Sequence, residues 1–563
     1  MSKDPDRAFF GHPRGLSTLF FTEMWERLSY YGGRALLAIY MTTSVELGGR
    51  GMSDTSTGTV MALYLSSVYL LSLPGGWIAD RFLGQRRSVT IGGIGIAAGN
   101  ALLAGPDSLF YPGLVLIALG TGFLKPNVST IVGQLYKRED ARRDAGFTIY
   151  YMGINIGAGV APIVGILFAQ NQSFRHLLEN HGLDPNLCWK AGFAVPAVGM
   201  VAGVIQYLIG YKKLGEAGLH PTIPSDPKKA KRDRVTAAAI AAGLVAIVVG
   251  GLLIDKYVMQ ISADVLQNAF GVGLIFASVG VFVLFYKSAR DSDETKRVTA
   301  MIPLFIGGIA FFMVFEQAST TMSLFADRLV HREYLGVHVV STAYQFVNAG
   351  CILALAPIFA WVWTRMVRVN KEPSAVNKFA IGTLFTMLSI IILLPTVSRI
   401  AQIDGVNPVY AWAFPSRTVS PNYLVLFYVI STCSELCISP VGLSSMSKLA
   451  PERLAGMVMG TWFLAAAVGN YLAGRAAQLS AAHGFGFLFW VLILASLVIA
   501  VALFAVAPAI KRMLAGTTKE VELPVAKLVA ETVAGVDGPE GVAGVAGVAG
   551  VDGPDGPDGK VES

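Results

Sequence analysis

Residues 21–34 read F-T-E-M-W-E-R-L-S-Y-Y-G-G-R and lie inside an otherwise apolar run from 16 to 42. A helix needs about 20 mostly apolar residues to cross a bilayer, so the run is long enough to span. Glu23, Glu26, Arg27, Tyr30 and Arg34 fall at i, i+3, i+4, i+7 and i+11, which puts them on one stripe of that helix with Tyr31 beside it. An ionisable group at membrane depth costs about 2.5–3.5 kcal/mol on insertion scales, so the four on this stripe would cost on the order of 10 kcal/mol against lipid. The stripe must face an internal, hydrated cavity, and such a cavity requires other helices around it.

The composition supplies them. The chain has 563 residues, of which 53% are hydrophobic and 14% charged, with mean hydropathy +0.56. Soluble domains carry about a quarter charged residues, so a soluble or disordered chain is excluded. The net charge of +7 comes from 44 basic and 37 acidic residues, but the basic ones occur in short runs between apolar stretches, unlike a nucleic-acid surface. Fourteen windows qualify as spans, near 16–42, 57–79, 88–106, 109–134, 145–169, 191–211, 235–254, 268–286, 300–325, 338–363, 376–396, 421–446, 455–478 and 485–508. The predicted fold class is an all-α polytopic membrane protein with 14 transmembrane helices. Cys188, Cys351, Cys433 and Cys437 have neither disulfide-ladder nor metal-ligand spacing and read as packing residues.

Lys and Arg concentrate in alternate loops, as in Arg81/Arg86/Arg87, Lys137 to Arg143, Lys212 to Arg234, Lys287 to Arg297, Arg365 to Lys371 and Lys448/Arg453. The positive-inside rule then puts both termini in the cytoplasm. No cleaved signal peptide is expected, because residues 1–15 are polar and contain Pro5 and Pro13. The expected organisation is a cytoplasmic N-terminus (1–15), six spans (16–211), a basic loop (212–234), two inserted spans (235–286), a cytoplasmic linker (287–299), six further spans (300–508) and a disordered tail (509–563). The inserted pair carries no charged side chain within its windows and is expected at the periphery, facing lipid. The tail reads GVAGVAGVAG and DGPDGPDG, which bury too little apolar area to order themselves.

Five other ionisable or polar positions stand out at membrane depth. Lys125 in span four needs an internal acid, for which Glu23 and Glu26 are the candidates. The span at 300–325, the seventh outside the inserted pair and called span seven below, carries Glu316 with Gln317, and the span at 421–446 carries Glu435, followed one turn on by Ser439. Arg34 and Lys125 thus come from one half and Glu316 and Glu435 from the other, an arrangement that can meet both ends of a zwitterion. A static ion network would need only balanced charge. Two acids and one base within one turn instead suit a cluster that exchanges protons. All seven histidines fall in loops or at span edges, which leaves proton work to carboxylates. No G-x-x-x-x-G-K-[ST], H-E-x-x-H or G-x-S-x-G occurs, so ATP-driven transport and hydrolytic chemistry lack their residues, and neither an enzyme nor a metal site is expected.

The F-T-E-M-W-E-R-L-S-Y-Y-G-G-R stretch resembles the E-x-x-E-R signature of the proton-dependent oligopeptide transporters within the major facilitator superfamily. G-G-W-I-A-D-R-F-L-G-Q-R-R, G-F-L-K-P-N, F-T-I-Y-Y-M-G-I-N-I-G-A, F-E-Q at 315–317 and S-E-L-C-I-S-P-V-G-L at 434–443 resemble further family motifs. The resemblance covers residues 16 to about 508 and implies the major facilitator fold, two six-helix bundles rocking about a midplane site. It implies that Glu23, Glu26, Arg27 and Lys125 form the proton-coupling cluster. It further implies that Tyr30, Tyr31, Arg34, Tyr69, Lys125 and Asn155 bind peptide from one half, and Glu316, Asn348, Glu435, Ser439 and Trp462 from the other. Salt bridges of Arg34 or Lys125 with Glu316 or Glu435 are implied as gates.

The implied activity is proton-coupled import of di- and tripeptides by a bacterial inner-membrane protein, monomeric and without any cofactor beyond the proton. Two alternatives stay open on this scaffold: a transporter of nitrate, an organic acid or a peptide-like drug, and a sensor that does not transport.

Overall fold

A computed structural model describes residues 8–136, 142–221, 228, 231–232, 234–235, 263–331, 333–334, 336–397, 419–449 and 455–515. The expected first inserted span, most of the basic loop, residues 398–418 between the spans at 376–396 and 421–446, and the tail beyond 515 lie outside these residues.

Several helices begin where a polar side chain caps an apolar run. Ser53 Oγ accepts from the Ser56 amide at 3.1 Å, Asp291 Oδ1 from the Glu294 amide at 2.7 Å, and Ser374 Oγ from the Asn377 amide at 3.3 Å. Each satisfies an amide that a helix start would otherwise leave bare. In the first half of the chain the helices are α1 (Arg14–Thr42), α2 (Asp54–Leu70), α3 (Ser72–Ile78), α4 (Gln85–Leu103), α5 (Phe110–Gln134), α6 (Arg142–Val160), α7 (Gln172–Asn180) and α8 (Leu187–Gly210). Then come α9 (Ala263–Ser288), α10 (Ser292–Phe315), α11 (Thr321–Leu329), α12 (Gln345–Arg368), α13 (Ala375–Ile391), α14 (Pro421–Leu449) and α15 (Ala455–Ala515). α15 is two helices in line, broken at Gly484, whose φ of 84° suits glycine. A two-residue antiparallel hairpin, Glu333–Tyr334 with Val337–His338, separates α11 from α12.

Nine helical stretches among the described residues are long and apolar enough to cross a membrane, the stretch Gly460–Ala515 holding two spans in series. The chain is therefore an all-α polytopic membrane protein.

Helices α1 to α8 pack mainly on one another, α4 on α5 and α1 on α6 and α8, while α10 to α15 form a second group. The groups meet where α2 crosses α15, α1 meets α11, and α6 meets α12. Glycine sets the closest approach: a Cβ on Gly75 of α3 would stand 2.2 Å from the Gly122 carbonyl oxygen of α5.

The second inserted helix, α9, exposes Val272, Ile275, Phe276, Val279 and Val283, as a lipid-facing helix should. Its first turns also carry something its apolar window omits. Gln267 is fully buried, and its Oε1 accepts from Thr59 Oγ1 of α2 at 3.3 Å, and from Arg475 Nη1 at 3.2 Å and Gln478 Nε2 at 2.7 Å, both of α15. α9 is thus tied to both helix groups at once.

Gly75→Ala should lower stability by about 1–3 kcal/mol, because the new methyl meets backbone rather than a movable side chain. Gly280→Ala on α9, where nothing lies within 4 Å, should leave the melting temperature unchanged or raise it. Thermal melts of the two detergent-solubilised variants compare the outcomes.

Candidate functional site

The α1 stripe is buried as its charges require. Glu23, Glu26 and Arg27 are 2%, 0% and 3% exposed, and Arg34 is 5% exposed. Arg27 Nε lies 3.1 Å from Glu23 Oε1 and pairs also with Glu26 Oε2, so one guanidinium edge serves two acids. The other oxygen of Glu23 accepts from the Tyr150 hydroxyl of α6 at 2.7 Å. Tyr30 and Tyr31, edge-on to each other, lie between the two arginines. The Arg27 guanidinium is 5.3 and 5.9 Å from their ring centres and that of Arg34 is 5.6 and 5.8 Å.

Two turns along, Arg34 reaches across to the second helix group. It pairs with Glu316, 1% exposed, and its Nε donates to Ser319 Oγ at 2.7 Å. Glu316 can meet it because span seven is not continuous. α10 stops at Phe315, residues Glu316–Ser319 form a 3-10 turn, and Thr320 leaves helical geometry at φ −116°, ψ −100° before α11 resumes. Interrupted helices at membrane depth are tolerated where they line a protein interior or cavity.

Lys125 is where the expectation from the sequence fails. Its Nζ lies 4.0 Å from the centre of the Tyr69 ring and 5.6 Å from that of Phe463, and no carboxylate among the described residues lies within 4.0 Å of it. Glu23 and Glu26 are already engaged by Arg27, and the negative π faces of Tyr69 and Phe463 take the ammonium instead. Nor does Lys125 join Glu435. Glu435 Oε2 accepts from Asn348 Nδ2 at 3.1 Å, and the same amide donates to Thr432 Oγ1 at 2.9 Å.

The remaining expected residues divide by role. Trp462 stacks edge-on to Phe312 at 5.6 Å and packs against Phe379, forming an aromatic wall. Asn155 Nδ2 donates to its own helix, at the Tyr151 carbonyl. Ser439 is half-buried on α14, one turn past Glu435. Sequence reasoning missed Tyr150, Ser319 and Phe463. Only Tyr150 left a trace, inside the F-T-I-Y-Y-M stretch from which Asn155 was chosen.

Further polar contacts join the halves at the Thr42 end of α1. Arg328 Nη1 and Nη2 lie 2.6 and 2.7 Å from the two oxygens of Asp54. Gln170 Nε2 donates to Ser341 Oγ at 2.7 Å, and Thr342 Oγ1 donates to Gln170 Oε1 at 3.0 Å. Among the described residues no group of three or more His, Cys, Asp or Glu is arranged to hold a metal ion.

The sequence profile of the POT family matches residues 86–491. An uncharacterized transporter of Bacillus subtilis, YclF, is 37% identical over 91% of this chain and 97% of its own length. The peptide transporter YePEPT of Yersinia enterocolitica is 35% identical over 83% of this chain and 88% of its own. Among solved structures, a POT peptide transporter in complex with alafosfalin superposes with a TM-score of 0.77 at 38% identity, covering 91% of this chain and 98% of that one. A POT family transporter in complex with 5-aminolevulinic acid gives 0.77 at 32% identity, covering 90% and 98%.

Removing one partner of a buried ion pair costs about 3–5 kcal/mol, because the other charge is stranded. Arg34→Ala and Glu316→Ala should each lower the melting temperature of the detergent-solubilised protein, and the double variant should lose clearly less than the sum. Strict additivity of the two melts would mean that the pair does not couple the halves.

Proposed function

The chain belongs to the POT family, whose solved members share the major facilitator fold, and on that footing we propose that it is a symporter coupling proton entry to uptake of di- and tripeptides by alternating access. The observation that carries this reading is the division of buried charge. Arg34 and Lys125 come from the first helix group, Glu316 and Glu435 from the second, and tyrosine and tryptophan rings lie around them. A peptide presents a carboxylate and an ammonium whatever its side chains, so it would engage both groups and draw them together.

In this reading the two bundles are residues 16–211 and 300–508, with 235–286 inserted between them. Arg34 and Lys125 take the peptide carboxylate, while Glu435 and Glu316 take its amine. Tyr30, Tyr31, Tyr69, Asn155, Asn348, Ser439 and Trp462 surround the backbone. The Arg34–Glu316 pair neutralises the site when it is empty and competes with peptide when it fills. A proton arriving at the Glu23, Glu26, Arg27 cluster weakens the hold on Arg27 and so favours one conformer by a differential interaction. The positive-inside pattern makes the Thr42 end of α1 the outer end, and the Asp54–Arg328 and Gln170 contacts there support an inward-facing form. Both termini are then cytoplasmic, and the chain, transporter rather than enzyme, works in a bacterial inner membrane as a single polypeptide carrying both halves of the site.

Uptake of labelled dialanine into proteoliposomes tests this. Under an inward proton gradient the wild type should accumulate peptide. Glu26→Gln should lose the response to the gradient while keeping counterflow. Glu435→Gln should weaken dialanine binding by about 10- to 100-fold, the scale of a lost hydrogen bond to a charged group. Uptake indifferent to the gradient, or equal uptake of N-acetyl-dialanine amide, would refute the assignment.

A further inference from the structure

The two acids of the α1 cluster are not equivalent, and α6 makes them so. Gly153 and Gly157 draw the α6 backbone onto α1: a Cβ at Gly157 would stand 2.3 Å from the Met24 carbonyl oxygen and 2.8 Å from Arg27 Cβ. This close approach places Tyr150, one turn before Gly153 and 6% exposed, with its hydroxyl 2.7 Å from Glu23 Oε2. Arg27 Nε lies 3.1 Å from Oε1 as an ion pair, its single hydrogen going to Glu26 Oε2, so Glu23 has a hydroxyl donor on one oxygen and a cation beside the other. A proton added to Glu23 would weaken its ion pair with Arg27 or oblige the Tyr150 hydroxyl to turn from donor to acceptor.

Glu26 differs. Its Oε2 accepts from Arg27 Nε, but among the described residues its buried Oε1 has no hydrogen-bond partner, nor has Arg27 Nη2. A proton can be added at Oε1 without displacing a donor. An ionised oxygen there is left without the bond that a buried charge requires. The other charged and titratable groups near the cluster are Lys125 of α5 and Tyr69 of α2, which face each other, Tyr64 of α2, which feels the Glu26 charge, and Tyr30 and Tyr31 against Arg27.

We infer that Tyr150 is the positioning residue of the coupling cluster: it fixes Glu23 as the standing partner of Arg27 and so leaves Glu26 as the carboxyl that carries the transported proton. The step is a proton transfer alone, in which an O–H bond forms at Glu26 on one side of the membrane and breaks on the other. The inference rests on the proton-coupled reading above, so its test includes a readout that needs no substrate.

Infrared difference spectra of the purified protein, taken between acid and neutral pH, report protonated carboxyl groups through their C=O stretch. The cluster's band should vanish in Glu26→Gln and persist in Glu23→Gln. Tyr150→Phe keeps the ring and removes the hydroxyl, and should add a second band that Tyr150→Phe/Glu23→Gln abolishes. In proteoliposomes Tyr150→Phe should reduce gradient-driven dialanine accumulation by about tenfold or more, at the lower end of what a hydrogen bond to a charged group is worth. Counterflow should stay within about threefold of wild type, since that readout requires no net proton flux. A band that survives Glu26→Gln and vanishes in Glu23→Gln overturns the inference. So does a Tyr150→Phe protein in which driven uptake, counterflow and melting temperature fall together, because packing alone would do that. Wild type that moves no dialanine in either assay refutes the peptide reading, and the infrared assignment then decides on Tyr150 by itself.

Discussion

A charge cannot stand unpaired in hydrocarbon, and the four ionisable groups of α1 impose that constraint on everything around them. No lipid-facing helix can carry Glu23, Glu26, Arg27 and Arg34 together. α1 is therefore packed against α6 and α8 on one side and α11 on the other, and each charge finds its partner from a different direction. Glu23 is held by its own helix and by α6, and Arg34 by the turn that interrupts span seven. The fold follows from where those partners must stand.

The interruption at Glu316–Thr320 shows the same constraint from the other half. A continuous helix would carry Glu316 past the midplane on a single face. The 3-10 turn instead frees local backbone groups, and Ser319 and Thr320 return hydroxyls to the Glu316 carbonyl at 3.2 and 3.3 Å. The same Ser319 hydroxyl receives Arg34, so the local repair of a broken helix and the contact between halves share one atom. A movement that separated the halves would have to satisfy that hydroxyl and both charges afresh. This is why bound solute carrying its own two charges is a natural trigger.

How much was legible beforehand depended on how rare each residue is in an apolar run. Glu23, Glu26, Arg27, Arg34, Glu316 and Glu435 stood out because charge in a span is costly and has few explanations. Tyr150 and Ser319 did not, since Tyr and Ser occur throughout such helices and acquire meaning only from the partner that packing supplies. Lys125 was visible but its partner was not: a cation is satisfied by an acid or by aromatic faces, and only the three-dimensional arrangement chooses Tyr69 and Phe463. The break in span seven left no mark, because F-E-Q-A-S-T-T contains neither glycine nor proline. The polytopic character of the chain was readable because length and hydropathy alone set it.

Gln267 escaped for a smaller reason, lying one residue outside the apolar window of its helix. The outer face of α15 presents Arg475 and Gln478 toward α9, not toward acyl chains, so α9 is part of the dielectric boundary of the second bundle. A helix held only by lipid contacts would meet an apolar surface on α15. Instead α15 carries a guanidinium and an amide that meet Gln267, the amide donating also to Thr59 Oγ1 of α2 at 2.6 Å. Excising α9 would take Gln267 from both side chains, leaving Gln478 its bonds to Thr55 and Thr59 of α2 and leaving Arg475 with Gln478 in place of Gln267.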